Sequence, residues 1–297
     1  MKMEYKKLKF ALFGNSYQEN KAQAVAHVVE ALVARQADLS VSASFYDFVK
    51  SSLHIDIPHA ELIESESFSA DFVVCMGGDG TFLDVASKVG EKEIPIIGVN
   101  TGRLGFLASF SPDEIDEVFD RIYEGRFTVE DHSVLRLMCD DVNLMDYPCA
   151  LNEIAILKHD ISSMINIRTS IDGVYMTTYM ADGLIVGTPT GSTAYSLSVG
   201  GPIVVPQSKT ITLTPVAPHS LNMRPIVLTD DSMIELEVKS RSNNFLIAID
   251  GRSHSYPDSI KLRIRKAPYH VKVVNLIGQN FFSTLCRKMM WGVDQRG

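Results

Sequence analysis

Asp71 to Met76 (DFVVCM) is an unbroken apolar run that passes straight into Gly77-Gly78-Asp79-Gly80-Thr81, and Phe82, Val85 and Val89 then follow at helical spacing. A buried strand that must turn at once into a helix through glycines constrains the fold more than any other stretch of this chain. It demands a β-turn-α unit, and the flanking segments repeat that pattern. Lys9 to Gly14 (KFALFG) reads as a short buried strand, and Ala22 to Ala34 carries Val25, Val28, Val29, Leu32 and Val33 on one helical face. A strand is expected at Val41 to Phe45, an ambiguous stretch runs to Ala60, and Ile94 to Val99 is a further strand. Ser111-Pro112-Asp113-Glu114 starts another helix, with proline at its first position and a capping-box glutamate. That helix carries Ile115, Val118, Phe119 and Ile122 and stops at Gly125. Strands alternating with helices in this way imply βαβ units and a parallel sheet.

Beyond Gly125 the texture changes. Val134 to Met138, Ile154 to Leu157, Ile165 to Ile171, Leu184 to Val186, Met233 to Val238, Phe245 to Ile249 and Ile260 to Ile264 are short, β-rich and separated by Asp, Gly, Asn and Pro turns. Val271 to Ile277 is strand-like, and Phe282, Leu285 and Met289 then recur at helical spacing. A chain of 297 residues has room for two domains. The expected division is an α/β domain over residues 1–126, a β-rich, β-sandwich-like domain over 127–275, and a tail, 276–297, that packs back onto the first domain.

Net charge narrows the function. The chain carries -8 overall, and residues 1–126 hold 12 Lys+Arg against 20 Asp+Glu, whereas residues 127–297 hold 16 of each. Binding to nucleic acid by counterion release needs the opposite sign. Small anions held by local amides and metal ions remain compatible with it. Cys75, Cys139, Cys149 and Cys286 form no CxxC or His-containing zinc spacing and read as four buried or semi-buried thiols. The start, MKMEYKKLKF, has positive charge without an apolar segment behind it, and no run of about 18 apolar residues occurs. The expectation is a soluble cytoplasmic protein that binds neither nucleic acid nor membrane.

Glycines after a buried strand let the backbone approach a ligand, and the following helix start points free N–H groups and partial positive charge at it. Gly77, Gly78, Gly80 and Thr81 are thus a candidate phosphate loop. Asp79, a carboxylate among anion-binding amides, suits taking a proton from a hydroxyl, holding a divalent metal, or both. Other phosphate and nucleophile motifs are missing. No glycine-lysine pair exists for a P-loop, the third glycine of a GxGxxG started at Gly78 is replaced by Leu83, and no GxSxG elbow occurs. A second string, Asp182 to Ser198 (DGLIVGTPTGSTAYSLS) followed by Gly200-Gly201-Pro202, is rich in small and hydroxyl residues. It offers close backbone approach to a flat ligand, polar edges, and a stacking face at Tyr195. Asn152-Glu153 stands before the apolar Ile154 to Leu157.

Together these segments resemble the NAD kinase family, within the wider group of GGDG kinases. Asn100-Thr101-Gly102-Arg103-Leu104-Gly105-Phe106-Leu107 and Pro218-His219-Ser220-Leu221-Asn222-Met223-Arg224-Pro225 add two further family-like stretches, so the resemblance spans residues 71 to about 253 in order. It implies a Rossmann-like α/β domain followed by the β-rich one, and ATP-dependent phosphorylation of the 2′-hydroxyl of the adenosine ribose of NAD to NADP. It makes Asp79 the general base, beside Gly80, and puts Asn152 and Glu153 at the adenosine ribose. It places Asp182, Thr190, Thr193, Ala194, Tyr195, Ser196, Ser198 and Ala217 around NAD, Phe106 in the adenine pocket, and Arg252 near the phosphates. It also implies a homodimer or homotetramer in which Asp182 acts across an interface. Mg²⁺ is expected to arrive bridged to phosphates, because no residue set forms a dedicated metal cage. The alternatives are another GGDG kinase acting on a sugar phosphate or a lipid, and a non-catalytic NAD sensor.

Other features read as structural. Met180 stands where many relatives carry arginine or glycine, which removes a charge contact there. His219 and Arg224 lie between prolines in a rigid turn. Lys261, Arg263 and Arg265 alternate with Leu262 and Ile264 as on a strand with one wet face. The eight histidines form no HExxH or triad neighbourhood, and Met289-Met290-Trp291 is expected to pack.

Overall fold

Every residue of Phe72–Gly77 is buried, and a strand with no wet side belongs inside a parallel sheet covered on both faces. The computed structural model, which describes residues 7–14, 22–65, 67–102, 105–139, 144–160 and 163–290, places it there. Two compact units form: residues up to Asp131 together with those from Val271 onward, and His132–His270. In the first, β1 (Lys9–Gly14), β2 (Asp38–Ser42), β3 (Glu61–Ile63), β4 (Phe72–Gly77) and β5 (Ile96–Asn100) are parallel, in the order β5-β4-β1-β2-β3. Strand order reverses between β1 and β4, the switch point at which open α/β sheets leave a crevice at the carboxyl ends of their strands. The glycine-rich turn leaves β4 at that end.

Helices α1 (Ala22–Ala34), α2 (Ala43–Ser51) and α4 (Ile115–Tyr123) share one core with the sheet, through Val28, Leu32, Phe45, Val118 and Phe119 against Phe10, Leu12, Val74 and Ile97. Helix α3 (Asp79–Val89) buries Phe82, Val85, Ala86 and Val89 outside that cluster. The capping box is formed: the Glu114 carboxylate accepts from the Ser111 N–H at 2.8 Å. The expected strand Val41 to Phe45 is corrected, because β2 ends at Ser42 and α2 begins at Ala43. Phe45 and Val49, four apart and both buried, put that segment on a helical period.

The second unit is all β apart from short helical turns. Its elements are β6 (Phe127–Met138), β7 (Cys149–Ala150), β8 (Glu153–Lys158), β9 (Ile165–Ile171), β10 (Val174–Ala181), β11 (Gly183–Gly187), α5 (Tyr195–Ser198), β12 (Thr210–Val216), β13 (Ile226–Thr229), β14 (Ile234–Lys239), β15 (Asn244–Ile249), β16 (Arg252–Pro257) and β17 (Lys261–Leu276). An antiparallel sheet in the order β13-β12-β11-β8-β15-β16 faces a second set, β10-β9-β14-β17. Ile154, Ile156, Leu184, Leu213 and Ile247 from the first meet Ile167, Tyr179, Leu236 and Ile264 from the second in one core. This is a sandwich.

Residues 260–264 and 271–277, read from sequence as two strands, are one: β17 runs from Lys261 to Leu276. Ala267, Tyr269 and Val271 are buried in alternation through the connecting stretch, so nothing there forces a turn. Strands β6 and β17 both run through the dividing points of the two units, which therefore fall at residues 131 and 270 instead of at turns near 126 and 275. After β17, α6 (Phe281–Met289) belongs to the first unit. It buries Leu285 and leaves Phe282 exposed, so its inward stripe is turned by one residue from the Phe282, Leu285, Met289 reading. Two expectations fail with it. Cys286 is an exposed thiol, and Met290, beyond the helix end, is 59% exposed and does not pack. Trp291 lies outside the described residues.

Candidate active site

In the first unit the glycine-rich turn folds as the sequence demands, with one shift: the helix begins at Asp79 itself, with Gly78 as its N-cap. The glycines differ in what they are for. A Cβ at Gly77 would stand 2.3 Å from the Thr81 hydroxyl, so strand-to-helix packing requires glycine there. A Cβ on Gly78 or Gly80 would meet nothing within 4 Å, and Gly78 has an ordinary extended backbone (φ -96°). The fold does not need glycine at these two positions. Both α-carbons face open space at the N-terminus of an eleven-residue helix, where unpaired N–H groups favour an anion.

The Asp79 carboxylate reaches into the segment that follows β5. Its Oδ2 accepts the Phe106 N–H at 2.9 Å, and its Oδ1 accepts those of Leu107 at 3.0 Å and Ala108 at 3.1 Å. Gly105 makes room for it, since a Cβ there would lie 1.9 Å from Oδ1. The Asn100 side chain holds the same segment, accepting from the Gly102 N–H and donating to the Ala108 carbonyl. A carboxylate offers about four lone-pair positions. Three are filled by amides, and the one left is on Oδ2. Arg103 and Leu104, part of the family-like stretch, lie outside the described residues.

In the second unit, Asn152-Glu153 and the Thr188 to Ser198 string come together at one end of the sheet that holds β8 and β11. Glu153 pairs with Gly187 across those strands. Thr188 donates its N–H to the Asn152 carbonyl at 2.9 Å and its hydroxyl to the Leu151 carbonyl at 2.5 Å. A Cβ on Gly191 would strike the Asn152 carbonyl at 2.1 Å. Asp250 closes the cluster: it accepts the N–H groups of Leu151, Asn152 and Glu153 at 2.7, 2.9 and 3.1 Å. Asp250 and Gly251 have φ of 47° and 82°, the left-handed pair of a tight hairpin turn between β15 and β16. Burial pushes the Asp250 carboxyl up, opposed by these amide bonds and by Arg252.

The buried Glu153 carboxyl is pushed up to about 7, by burial first and by the Asp250 charge beside it second, with a backbone hydrogen bond from Tyr195 opposing. Its Oε2 is buried and has no partner. Such an atom is costly unless a ligand satisfies it.

The remaining predicted residues divide by what their side chains already do. Thr190 bonds His132 at 2.8 Å, and the Thr193 hydroxyl donates to the Thr190 carbonyl. Ser196 is fully buried with its hydroxyl on Thr214, facing the interior. Tyr195 and Ser198 are exposed and Ala194 is half-buried. Asp182 pairs with Lys158 at 2.7 Å. Arg252 donates to the carbonyls of Tyr147 and Cys149, which ties its guanidinium to the fold. Ala217 adopts φ 43° directly before Pro218, a left-handed conformation unfavourable for a residue with a Cβ. Arg224 donates to carbonyls of its own turn, at Leu221 and Met223.

Sequence reasoning missed Asp250 as an amide clamp and Lys288, whose Nζ lies 3.6 Å from Asp79 Oδ2. Among the described residues no three His, Cys, Asp or Glu side chains cluster as a metal cage. Asp79, with three lone pairs on amides and an ammonium beside the fourth, does not offer a protein metal site.

Comparison with known proteins agrees with this arrangement. Residues 10–127 match the ATP-NAD kinase N-terminal domain and residues 151–276 the ATP-NAD kinase C-terminal domain. The chain is 56% identical over 289 residues to an NAD kinase of Bacteroides fragilis, covering 97% of this chain and all of that protein. It is 41% identical over 288 residues to an NAD kinase of Porphyromonas gingivalis, covering 97% and 99%. Among solved structures, yeast NADH kinase complexed with NADH superposes with a TM-score of 0.87 at 25% identity, covering 98% of this chain and 89% of that one. An NAD kinase from Archaeoglobus fulgidus in complex with ATP gives 0.74 at 28% identity, covering 95% and 99%. The glycine turn at the switch point, the clamped aspartate and these matches along nearly the whole chain have one reading: the chain belongs to the ATP-NAD kinase family.

Proposed function

We propose that the protein transfers the γ-phosphoryl group of MgATP to the 2′-hydroxyl of the adenosine ribose of NAD, giving NADP and ADP. The observation that carries this reading is Asp79. Three amides fix its carboxylate so that one lone pair stays free, and it stands between two glycines that the fold does not require. A ribose hydroxyl is a weak nucleophile at neutral pH, and a positioned carboxylate that takes its proton contributes roughly 10²–10⁴-fold in rate. The N-terminal amides of α3 and the open α-carbons of Gly78 and Gly80 receive the phosphate oxygens, with Thr81 behind them. Mg²⁺ enters as part of the donor substrate and neutralises its charge.

NAD is held by Asn152, Glu153, Thr190, Thr193, Ala194, Tyr195, Ser198 and Ala217, with Phe106 against its adenine. The unpartnered Glu153 Oε2 suits a ribose hydroxyl, and the exposed Tyr195 ring suits stacking. The working form is a homodimer or homotetramer in the cytoplasm, with Asp182 contributed to a neighbouring subunit's NAD.

Incubation with MgATP and NAD, followed by an NADP-specific dehydrogenase, tests the reading. NADP formation that chelation abolishes is expected; no product across several divalent metals and phosphoryl donors would make the protein a non-catalytic NAD binder or a kinase for another substrate. NADH in place of NAD defines the acceptor. Mixed oligomers of Asp79→Asn and Asp182→Asn chains regain activity if the two residues serve one site from different chains.

A further inference from the structure

We infer that Lys288, on the C-terminal helix, is a catalytic residue of the phosphoryl transfer, its ammonium serving the γ-phosphoryl oxygens as charge moves between ATP and the acceptor. The inference rests on the kinase reading and adds a residue to it. Lys288 Nζ lies 3.6 Å from Asp79 Oδ2 and 4.2 Å from the centroid of the Phe106 ring. Phe106 also meets Phe281, at the start of α6, with centroids 6.2 Å apart. Phe281, Leu285 and Lys288 fall at i, i+4 and i+7, one face of the helix. That face lies against the segment whose amides clamp Asp79.

The lone-pair count gives the placement its meaning. Oδ2 is the oxygen with a position to spare, the one a substrate hydroxyl must approach to lose its proton, and the ammonium stands beside it. A hydroxyl bound there attacks a phosphorus one bond further out, within reach of a flexible lysine that the Phe106 face already holds by a cation–π contact. Both partners of the ion pair are 31% exposed. An exposed pair longer than a hydrogen bond contributes little to stability, so holding α6 in place does not explain it.

The step balances without any other participant. Asp79 Oδ2 takes the 2′-hydroxyl proton, and an electron pair of that oxygen forms the new bond to the γ-phosphorus. The bond from that phosphorus to the bridging oxygen breaks with its pair remaining on ADP. Lys288 stays an ammonium throughout.

The test is steady-state kinetics of the intact chain with NAD and MgATP varied, for wild type, Lys288→Met and Lys288→Arg, with thermal midpoints by circular dichroism. Removal of one charge-stabilising donor predicts a fall in kcat of about 100-fold for Lys288→Met. The KM for NAD should stay within about threefold and the midpoint should be unchanged, as expected for an interaction made chiefly in the transition state. Lys288→Arg, which keeps the charge, should recover at least about tenfold of the loss. A Lys288→Met kcat within about threefold of wild type overturns the inference and leaves the kinase reading intact. So does a loss confined to KM for NAD, or one that arginine does not relieve and a lower midpoint accompanies. Absence of NADP from the wild-type reaction removes the kinase reading and this inference with it.

Discussion

Glu153 gives the sharpest physical test of the site, because its carboxyl is held at about 7 in the folded chain against 4.5 for an ordinary glutamate. A folded-state value above the unfolded one means that the native protein keeps a proton the unfolded chain releases. The stability this confers is complete below about pH 4.5 and is lost as pH rises through about 7. At about 1.4 kcal/mol per tenfold, the displacement amounts to ~3 kcal/mol. Glu153→Gln removes the titration and keeps an oxygen to accept the Tyr195 N–H. Its new amide N–H₂ replaces the unpartnered Oε2 and adds a penalty of about 1–3 kcal/mol, the same at every pH. The signal is therefore a slope. Wild type loses ~3 kcal/mol relative to Glu153→Gln between about pH 4 and about pH 8, measured by urea denaturation followed by circular dichroism. Asp250 is present in both proteins, so its own titration cancels, apart from the share due to the Glu153 charge, which has the same sign. A free-energy difference that is constant across this range, or that favours wild type more at high pH, would refute the account of Glu153 as a carboxyl buried beside Asp250.

The other expectations concern the first unit. Gly77→Ala drives a Cβ into Thr81 and should cost roughly 1–3 kcal/mol in a thermal or urea melt. Gly78→Ala should leave the melt within about 0.5 kcal/mol of wild type and raise the KM for MgATP, since its Cβ enters only the space assigned to phosphate. Asp79→Asn should lower kcat by roughly 10²–10⁴-fold and also destabilise the chain by about 1–3 kcal/mol, because one amide of the clamp would face an N–H₂ group. Arg35, buried between α1 and α4, donates to the Asp116 and Asp120 carboxylates and to the carbonyls of Ala31 and Asp116. Arg35→Ala should cost roughly 1–3 kcal/mol, read by urea denaturation, because the Asp116 and Asp120 carboxylates it leaves are half-exposed, with kcat unchanged.

What could be read from sequence was local. The apolar run before Gly77 specifies β4 and its turn, Ser111 to Glu114 specifies a helix start, and alternating residues specify most strands of the second unit, because each signal lies within one element. The errors came where two periods compete over a few residues, as at Val41 to Phe45, or where the end of an element depends on its partners, as in β17. Asp79 and Asp250 share a device that no window could expose: each binds three successive amides distant in sequence, at 106–108 and at 151–153. Asp-Gly pairs look alike in sequence whichever role they have. Asp172-Gly173 and Asp250-Gly251 are left-handed turn pairs, whereas Asp79-Gly80 opens a helix. Lys288 was invisible for the same reason, its partner being more than 200 residues away.

Six acids of the first 126 residues are paired with bases. Asp116 and Asp120 meet Arg35, Asp84 meets Lys88, Glu61 meets Lys9, Asp38 meets Lys7 and Glu117 meets Arg121. These are pairs between side chains of the helices and the sheet margin. None involves the turn at Gly77 to Gly80. In the proposed site, what an incoming phosphate would meet is short-ranged: the amides at the start of α3, two α-carbons without side chains, and an ammonium brought by the last helix to the aspartate that the 106–108 amides hold in place. A chain of net charge -8 can thus hold a polyanion, provided that the groups able to bind it lie within hydrogen-bonding reach.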